Sequence, residues 1–452
     1  MNASSWSEIL RLSWPIMLSQ MVISLAGLID RAMVGRLAGD EGAAVPLAAV
    51  GFATQFFFFI QSTLFAVGLA CIALMSRAIG ARDPATARAA QAASIQVSLV
   101  TTVLLAGGMF IGARDLLALL GAEPAVIDTA LPYLQLVLVS SLMLAVAIVI
   151  DSALRANRDM RTPMWVAIAI TVVKLAGNWV LIFGNLGAPR LGVLGAGLAT
   201  VLSQAIGLAI FLAVVLRQPA ASPSALRRRD WRAARPLRRD VIRIAAPGIA
   251  ERVIMNLAML SYFWVLSRYG TVSVAAYTVG IALLSFSWIP GTAYAQACAT
   301  LVGQSLGAGQ PEIATQTGWR CAGLAVVTAV LLGGVVALAR RPLAELFTQD
   351  VAVVEALGPF MLALALAQPF LQLHFTLGGA HRGAGDTWTP LVAATVGNWI
   401  FRIPLAVLFS VVLELDVVWV WNALIVDHVG RAIVMVISYQ RGRWISTLER
   451  RN

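Results

Sequence analysis

Long apolar segments separated by short polar stretches run through nearly the whole chain. A membrane-spanning helix needs about 20 predominantly apolar residues, and windows of that length predict six spans in each half of the 452 residues. The predicted spans are residues 9–36, 43–76, 87–112, 124–156, 163–185 and 191–217 in the first half, and 242–267, 272–305, 313–339, 351–381, 390–413 and 417–440 in the second. The pattern therefore predicts an all-α polytopic membrane protein with about twelve transmembrane helices.

Landmark residues recur at a fixed distance of 227 positions, which indicates an internal duplication. The recurring pairs are Cys71 and Cys298, Gly80 and Gly307, Pro84 and Pro311, Pro132 and Pro359, Arg155 and Arg382, and Asp159 and Asp386. Because each half has an even number of spans, both halves enter the membrane from the same side, as two parallel six-helix repeats. We expect an N-lobe over residues 1–217, a linker over 218–240 and a C-lobe over 241–452, arranged around a central cavity. Duplicated membrane-embedded halves are typical of transporters that rock one half against the other.

Composition supports the membrane interpretation and excludes an ordinary soluble protein. Hydrophobic residues make up 59% of the chain and charged residues 12%, and the mean hydropathy is +0.83. The positive charge is concentrated in the linker and its edges: Arg217, Arg227, Arg228, Arg229, Arg232, Arg235, Arg238, Arg239 and Arg243. Arginine-rich segments stay in the cytoplasm, which predicts a cytoplasmic linker and cytoplasmic termini. We interpret this segment as an orientation signal on anionic lipid, and not as a nucleic-acid-binding region.

Several classes of function lack the residues that they need. The three cysteines lie in or beside apolar spans without metal-ligand spacing and are expected to be core residues. The sequence contains no Walker A motif, no dinucleotide fingerprint after a strand and no His/Asp/Glu metal cluster, so we expect no cofactor. The N-terminus leads directly into a span too long for a cleavable signal. An enzyme would need a catalytic cluster that is not visible. Because no ATP-binding motif is present either, we expect transport to be driven by an ion gradient or by a partner.

Motifs in both halves resemble those of the multidrug and toxic compound extrusion (MATE) family over essentially the whole chain. They are Gly27-Leu28-Ile29-Asp30-x-x-x-x-Gly35, Arg155-x-x-x-Asp159-x-x-Thr162-Pro163, Pro247-x-x-x-Glu251 and Gly383-x-Gly385-Asp386-Thr387. Two strings, Gln368-Pro369-Phe370 and Arg402-Ile403-Pro404-Leu405, are more similar to the bacterial DNA-damage-inducible protein F branch. The resemblance implies a two-lobed, monomeric antiporter of the bacterial inner membrane, which exports amphipathic, often cationic small molecules in exchange for protons or sodium ions.

Ionisable residues within spans are costly and are therefore functional candidates. Asp30 lies in the outward half of the first span and falls on the family's first-helix aspartate. The resemblance implies that protonation of this aspartate, or binding of an ion to it, drives the N-lobe. Lys174, the one lysine of the chain, stands four residues before Asn178 and so on the same helix face. Family relatives usually have Asn and Asp at these two positions. The resemblance implies that these two positions form a polar site with the first-helix aspartate, and the heights of Asp30 and Asn178, at about 1.5 Å per residue, agree with a shared site. We therefore predict a buried Asp30–Lys174 pair, with a lysine that snorkels into a water cavity as the alternative.

A fixed ammonium at this site has a mechanistic consequence. It would occupy the place of a sodium ion and hold Asp30 ionised, which favours protons over sodium. Thr200 is expected to complete the ion-coupling shell and Gln204 to contribute to substrate binding, although such residues in membrane helices also simply hydrogen-bond a neighbouring helix.

The second half offers three further substrate-binding candidates, each with a structural alternative. Glu251 follows Pro247 by four residues, on the face that the family uses for substrate or cation contacts. His374 is able to titrate near neutral pH, but a core histidine bonded to a backbone carbonyl is the alternative. Tyr262 belongs to an aromatic cluster suited to flat cations, or to the core. Other charged residues of the late spans are expected to pair among themselves: Arg402, Asp427 and Arg431.

A lipid-linked sugar flippase of the wider superfamily is the alternative to a drug or metabolite exporter. Such a flippase needs a strongly cationic cavity for a pyrophosphate group, whereas the arginines of this chain concentrate at the cytoplasmic ends of the predicted spans. The charge distribution therefore favours the exporter.

Overall fold

The structure, a computed structural model, describes residues 4–36, 44–345 and 350–447, without the side chains of residues 44 and 282–284. Twelve helices in these ranges are long and apolar enough to cross a membrane. They are α1 Trp6–Gly35, α2 Ala44–Gly80, α3 Pro84–Ile111, α4 Pro124–Ala156, α5 Arg161–Phe183, α6 Val193–Arg217, α7 Leu237–Ser267, α8 Thr271–Gly307, α9 Pro311–Leu338, α10 Val351–Gly383, α11 Trp388–Val412 and α12 Val417–Arg441. The predicted all-α architecture with twelve spans is confirmed.

The observed helices differ from the predicted spans at their ends. Helix α2 continues to Gly80 and α7 begins at Leu237, several residues beyond the apolar windows. Backbone hydrogen bonding continues past the point where apolar side chains stop, because each residue added to an existing helix gains one bond. Short helices occupy Ala113–Leu119, Asp230–Ala233 and Arg340–Glu345.

The duplication is visible in the backbone as well as in the sequence. Helices α2, α3 and α4 begin and end 227 positions before α8, α9 and α10. The turn after α2 contains Arg82 in a left-handed conformation (φ 58°), and the corresponding turn after α8 contains Gly309 (φ 71°). In both turns the next amide donates to the carbonyl five residues earlier at 2.9 Å, from Asp83 to Ala78 and from Gln310 to Ser305. Both halves thus use the same left-handed helix-ending turn.

Two compact units make up the chain, and their boundary lies inside the first helix. Residues 18–243 form one unit, and residues 1–17 together with 244–452 form the other. The first 17 residues, which the sequence grouped with the N-lobe, therefore belong with the second half. Their anchors are on α9, where the amide of Ser4 donates to Thr317 Oγ1 at 3.4 Å and Arg320 donates to the Ser4 carbonyl at 3.1 Å.

The arginine-rich linker is folded against the unit formed by residues 18–243. Arg88 on α3 lies 3.5 Å from the carboxylate of Asp230 and donates to the Ala220 carbonyl at 3.0 Å. Gln96, two turns along α3, donates to the Trp231 carbonyl at 3.1 Å. These bonds tie the linker backbone to α3, while most of the linker arginine side chains remain exposed.

Candidate functional site

Close packing of α5 against α6 creates the frame of the first candidate site. A Cβ on Gly195 would lie 2.5 Å from the carbonyl oxygen of Leu181, and one on Gly177 would lie 3.0 Å from the Cβ of Ala199. Glycine and alanine at these contacts let the two backbones approach each other, as is usual between helices in lipid. The close approach buries Asn178, which has no exposed surface.

Asp30 on α1 meets Lys174 and Asn178 on α5. The Nζ of Lys174 lies 3.0 Å from Oδ2 of Asp30, and the amide Nδ2 of Asn178 donates to Oδ1 at 2.5 Å. The side chain of Asp30 is 14% exposed and that of Lys174 27% exposed. The ion pair predicted from the sequence is therefore present, with both side chains largely but not completely buried. Its role in ion coupling stays a prediction.

Each oxygen of the Asp30 carboxylate already accepts a hydrogen bond from a nitrogen. One donor is the charged ammonium group of Lys174 and the other is the neutral amide of Asn178. The amide oxygen of Asn178 is buried and has no partner among the described residues. Rotation of that amide would turn an acceptor toward Asp30, so Asn178 is able to serve an ionised or a protonated carboxyl group.

The other two predicted members of the shell lie on α6. The hydroxyl of Thr200 donates to the Ala196 carbonyl of its own helix at 2.9 Å, and among the described residues it makes no hydrogen bond to Asp30. Gln204, one turn further along α6, is half-buried. Sequence reasoning did not identify Tyr133 on α4, which is 6% exposed and interacts electrostatically with Asp30.

Glu251, the predicted cation or substrate contact of the second half, is held by an arginine. The Nη2 of Arg382 on α10 lies 2.7 and 2.8 Å from the two carboxylate oxygens of Glu251, and both side chains are about nine-tenths buried. Arg382 is the repeat counterpart of Arg155, which instead pairs with Asp151 on its own helix at 2.8 Å. The sequence identified Arg382 as a landmark of the repeat, but the partner 131 residues away was not apparent.

A second ion-pair network connects α11 with α12. The prediction that Arg402, Asp427 and Arg431 pair among themselves is confirmed, because Asp427 accepts from both guanidinium groups at 2.5 Å. Arg431 also donates to Asn398 Oδ1 at 2.7 Å. Asn398 and Arg402 both lie in a π-helical turn of α11, Val396–Arg402, and such turns change the direction in which side chains project.

His374 differs from the expectation of a histidine bonded to a backbone carbonyl. Its Nε2 lies 3.1 Å from Nδ1 of His428, and the two rings stack with centroids 5.3 Å apart. A cavity of about 20 Å³ adjoins this pair and is lined by Glu251, His374, Arg382 and Arg431, among others. A space of this size holds about one water molecule, so it does not hold a drug-sized compound.

Tyr262 is part of the core of the second half, and its role in substrate binding stays a prediction. The residue has no exposed surface, and its hydroxyl donates to the Val420 carbonyl at 2.8 Å. Its ring lies 5.4 Å from that of Tyr277 and 5.7 Å from the guanidinium carbon of Arg402. Helix rotation in the packed unit, which the sequence pattern does not specify, decided this placement.

Comparison with known proteins matches both halves of the chain to one family model. The model, described as MatE, covers residues 15–180 and 247–408. Curated relatives include a probable multidrug resistance protein NorM of Thermotoga maritima, 26% identical with 97% of this chain and 92% of the relative covered. A protein of the same description from Bradyrhizobium diazoefficiens is 29% identical, with 97% and 94% covered.

Solved structures show the same fold. A MOP superfamily transporter from Pyrococcus furiosus has a TM-score of 0.87 and 21% identity, with 98% of this chain and 96% of the other covered. The Vibrio cholerae MATE transporter VcmN in its bent form has a TM-score of 0.86 and 21% identity, with 96% of both chains covered. At these identities the structures support the architecture alone.

Proposed function

Because the chain belongs to the MATE family of multi-pass membrane transporters, we propose that it is a secondary active antiporter that exports amphipathic, cationic drugs or metabolites in exchange for protons. The curated relatives named for multidrug resistance support the substrate class. We place the protein in the bacterial inner membrane with both termini in the cytoplasm, on the basis of the arginine-rich linker and tail.

The observation that carries the proposal is the position of Lys174. Its ammonium group lies 3.0 Å from Asp30, where a coupling cation would bind. A sodium ion needs several oxygen ligands, as hard cations do, but both oxygens of Asp30 accept from N–H groups. Bringing sodium into this site would place it against a fixed positive charge. A proton needs only one oxygen lone pair, so it is the better fit.

Proton binding and substrate binding act on the same carboxylate in this scheme. A proton on Asp30 removes the negative charge that Lys174 pairs with, and the Asn178 amide then rotates to accept the new O–H. A cationic substrate competes with Lys174 for the ionised form. Proton binding and substrate binding are thereby mutually exclusive at Asp30, so that binding of one favours release of the other, which is the requirement for antiport.

The second half has a different role in this proposal. Arg382 neutralises Glu251 at 2.7 Å, so a cationic substrate would have to displace a guanidinium nitrogen that contacts both carboxylate oxygens. We assign the remaining substrate contacts to Glu251, after release from Arg382, and to Gln204, while His374 contributes indirectly through its contact with His428. Glu251→Gln should then weaken cation binding more than the binding of neutral compounds, because the change removes the charge and keeps the shape.

Uptake of a fluorescent cation into everted vesicles tests the proposal, with a pH gradient and a sodium gradient imposed separately. We expect uptake with the pH gradient and none with sodium alone. Asp30→Asn should abolish uptake at unchanged expression, whereas Asp128→Asn, an exposed aspartate in an ion pair with Arg114, should not. Sodium-driven uptake in the wild type, or full activity of Asp30→Asn, would contradict the proposal.

A further inference from the structure

A cleft at the end of α12 combines free positive charge with an apolar wall. Its volume is about 560 Å³, within the usual range of small-molecule sites. Val392 on α11 and Ile437 on α12 form part of the wall and are 48% and 43% exposed. Arg441 and Arg443 close its polar end. We propose that this cleft binds one anionic phospholipid, with its phosphate between the two guanidinium groups and its acyl chains along the apolar wall.

Local backbone geometry brings the two arginines to the same place. Gly442 adopts φ 67°, a left-handed conformation that ends α12 and reverses the chain. The following turn is fixed by Trp444, which is 1% exposed, stacks on Tyr439 with centroids 4.6 Å apart and donates to its carbonyl at 3.0 Å. Arg443 is therefore held beside the cleft instead of continuing away from the helix.

The charge of the cleft favours an anion. Among the described residues, neither Arg441 nor Arg443 has a carboxylate within ion-pair distance, and both are exposed. Asp386 also lines the cleft, but its carboxylate accepts from the Thr389 amide at 3.1 Å, the Thr389 hydroxyl at 2.6 Å and the His381 ring at 2.9 Å. Its lone pairs are thus largely directed toward these donors.

The wall of the cleft favours a lipid over a free anion. Val392 and Ile437 lie on membrane-spanning helices, so the apolar surface continues from the arginines toward the hydrocarbon region. Trp388, at the first position of α11, borders the cleft and is 55% exposed, as aromatic residues at membrane boundaries often are. A phospholipid matches both parts at once, whereas inorganic phosphate matches only the charged end.

Native mass spectrometry of the full chain in detergent, with added phosphatidylglycerol or phosphatidylcholine of identical acyl chains, tests the proposal. The wild type should retain one tightly bound phosphatidylglycerol. The double variant R441Q/R443Q should bind it about thirtyfold more weakly, because each basic side chain near an anionic lipid contributes about fivefold in affinity. Retention of phosphatidylcholine should not change, which reports that the variant is folded.

A matched control uses two other exposed arginines, Arg217, which ends α6 as Arg441 ends α12, and Arg232 in the linker. R217Q/R232Q carries the same change in net charge and should retain the lipid. Equal losses in both double variants would show a general charge effect and overturn the proposal, as would displacement by millimolar glycerol phosphate. Glu449 lies outside the described residues, and Glu449→Gln should not alter the retention of phosphatidylglycerol. Tighter retention of this lipid by the variant would show that the carboxylate of the tail competes with the lipid for the two arginines, and would overturn the proposal.

Discussion

The Asp30–Lys174 pair allows a quantitative test by a double-mutant cycle. The four proteins are the wild type, Asp30→Asn, Lys174→Ala and the double variant. Removing one partner leaves a poorly solvated charge behind, whereas removing both leaves none. The double variant should therefore lose less stability than the sum of the losses of the two single variants. The difference between that sum and the loss of the double variant is the coupling free energy.

The magnitude follows from the separation and the exposure of the two groups. At 3.0 Å, Coulomb's law gives roughly 5.5 kcal/mol at an effective dielectric constant of 20 and about 1.4 kcal/mol in bulk water. The side chains are 14% and 27% exposed, so screening lies between these limits and closer to the first. The loss of hydration on pairing lowers the net value. We expect a coupling free energy of about 2–4 kcal/mol.

The free energy of unfolding is measured in mixed micelles, where the folded and unfolded states can be brought to equilibrium. The chain offers an internal control in Arg114 and Asp128, which lie 2.7 Å apart but are 64% and 67% exposed. The equivalent cycle on this pair should give about 0–1 kcal/mol, as exposed ion pairs do. The comparison separates the effect of burial from the effect of distance.

A coupling free energy of less than about 0.5 kcal/mol at Asp30 and Lys174, the level of independent sites, would refute the reasoning. Lys174 would then be a lysine that reaches water on its own. If the pair is coupled, Lys174→Ala should also change the pH dependence of transport, because Lys174 is a direct partner of the proposed coupling carboxylate. The double variant should recover part of the stability but no transport.

Three further predictions concern the folded state. Asp386→Asn should destabilise the protein by about 1 kcal/mol at pH 7: burial raises the pKa of Asp386, but hydrogen bonds from His381 and Thr389 outweigh it and the pKa is lowered. This stabilisation is present above the pKa that Asp386 has in the unfolded state, and it is lost as pH falls through the pKa of the folded state. A stability difference between wild type and variant that stayed constant down to pH 3 would contradict this reasoning. Gly309→Ala should lower the free energy of unfolding by about 1 kcal/mol, because an alanine at φ 71° is strained. A Cβ there would have no neighbour within 4 Å, so a loss would come from the backbone alone, and an unchanged stability in thermal unfolding would exclude such strain. Tyr262→Phe should lower the free energy of unfolding by about 1 kcal/mol, because the hydrogen bond of the hydroxyl group is lost. The affinity for substrate should not change, and a loss of affinity without a loss of stability would show that Tyr262 binds substrate.

Much of the fold was predictable because lipid imposes a simple rule on sequence. Every backbone group in the hydrocarbon must be bonded within its own helix, so apolar length alone indicates the spans. The duplication was readable at turn residues such as Gly80 and Pro84, since homologous turns keep the residues that their backbone needs. Helical periodicity placed Lys174 and Asn178 on one face of α5, and the family resemblance implied that this face meets the first-helix aspartate, so the two together predicted the partner of Asp30.

The second half was less predictable, because its charged residues find partners on other helices. Glu251 and Arg382 are 131 residues apart and His374 and His428 are 54 apart, and no local pattern connects them. Tyr262 was a sound candidate by residue type, but the rotation of α7 within its unit turned it to the core. Such contacts depend on how each helix is rotated and how deeply it is placed.

The sequence by itself determined the number of helices and the repeat, because these depend on apolar length and on turn residues that recur at a fixed distance. Its motifs indicated the family, and the family resemblance together with periodicity within α5 indicated the pair at Asp30. Tertiary structure decided that residues 1–17 belong with the second half, that the linker folds on α3 and that Glu251 is neutralised by Arg382. Packing selects among many rotations and depths of similar apolar area. The few polar contacts that distinguish them exist only once the helices are assembled.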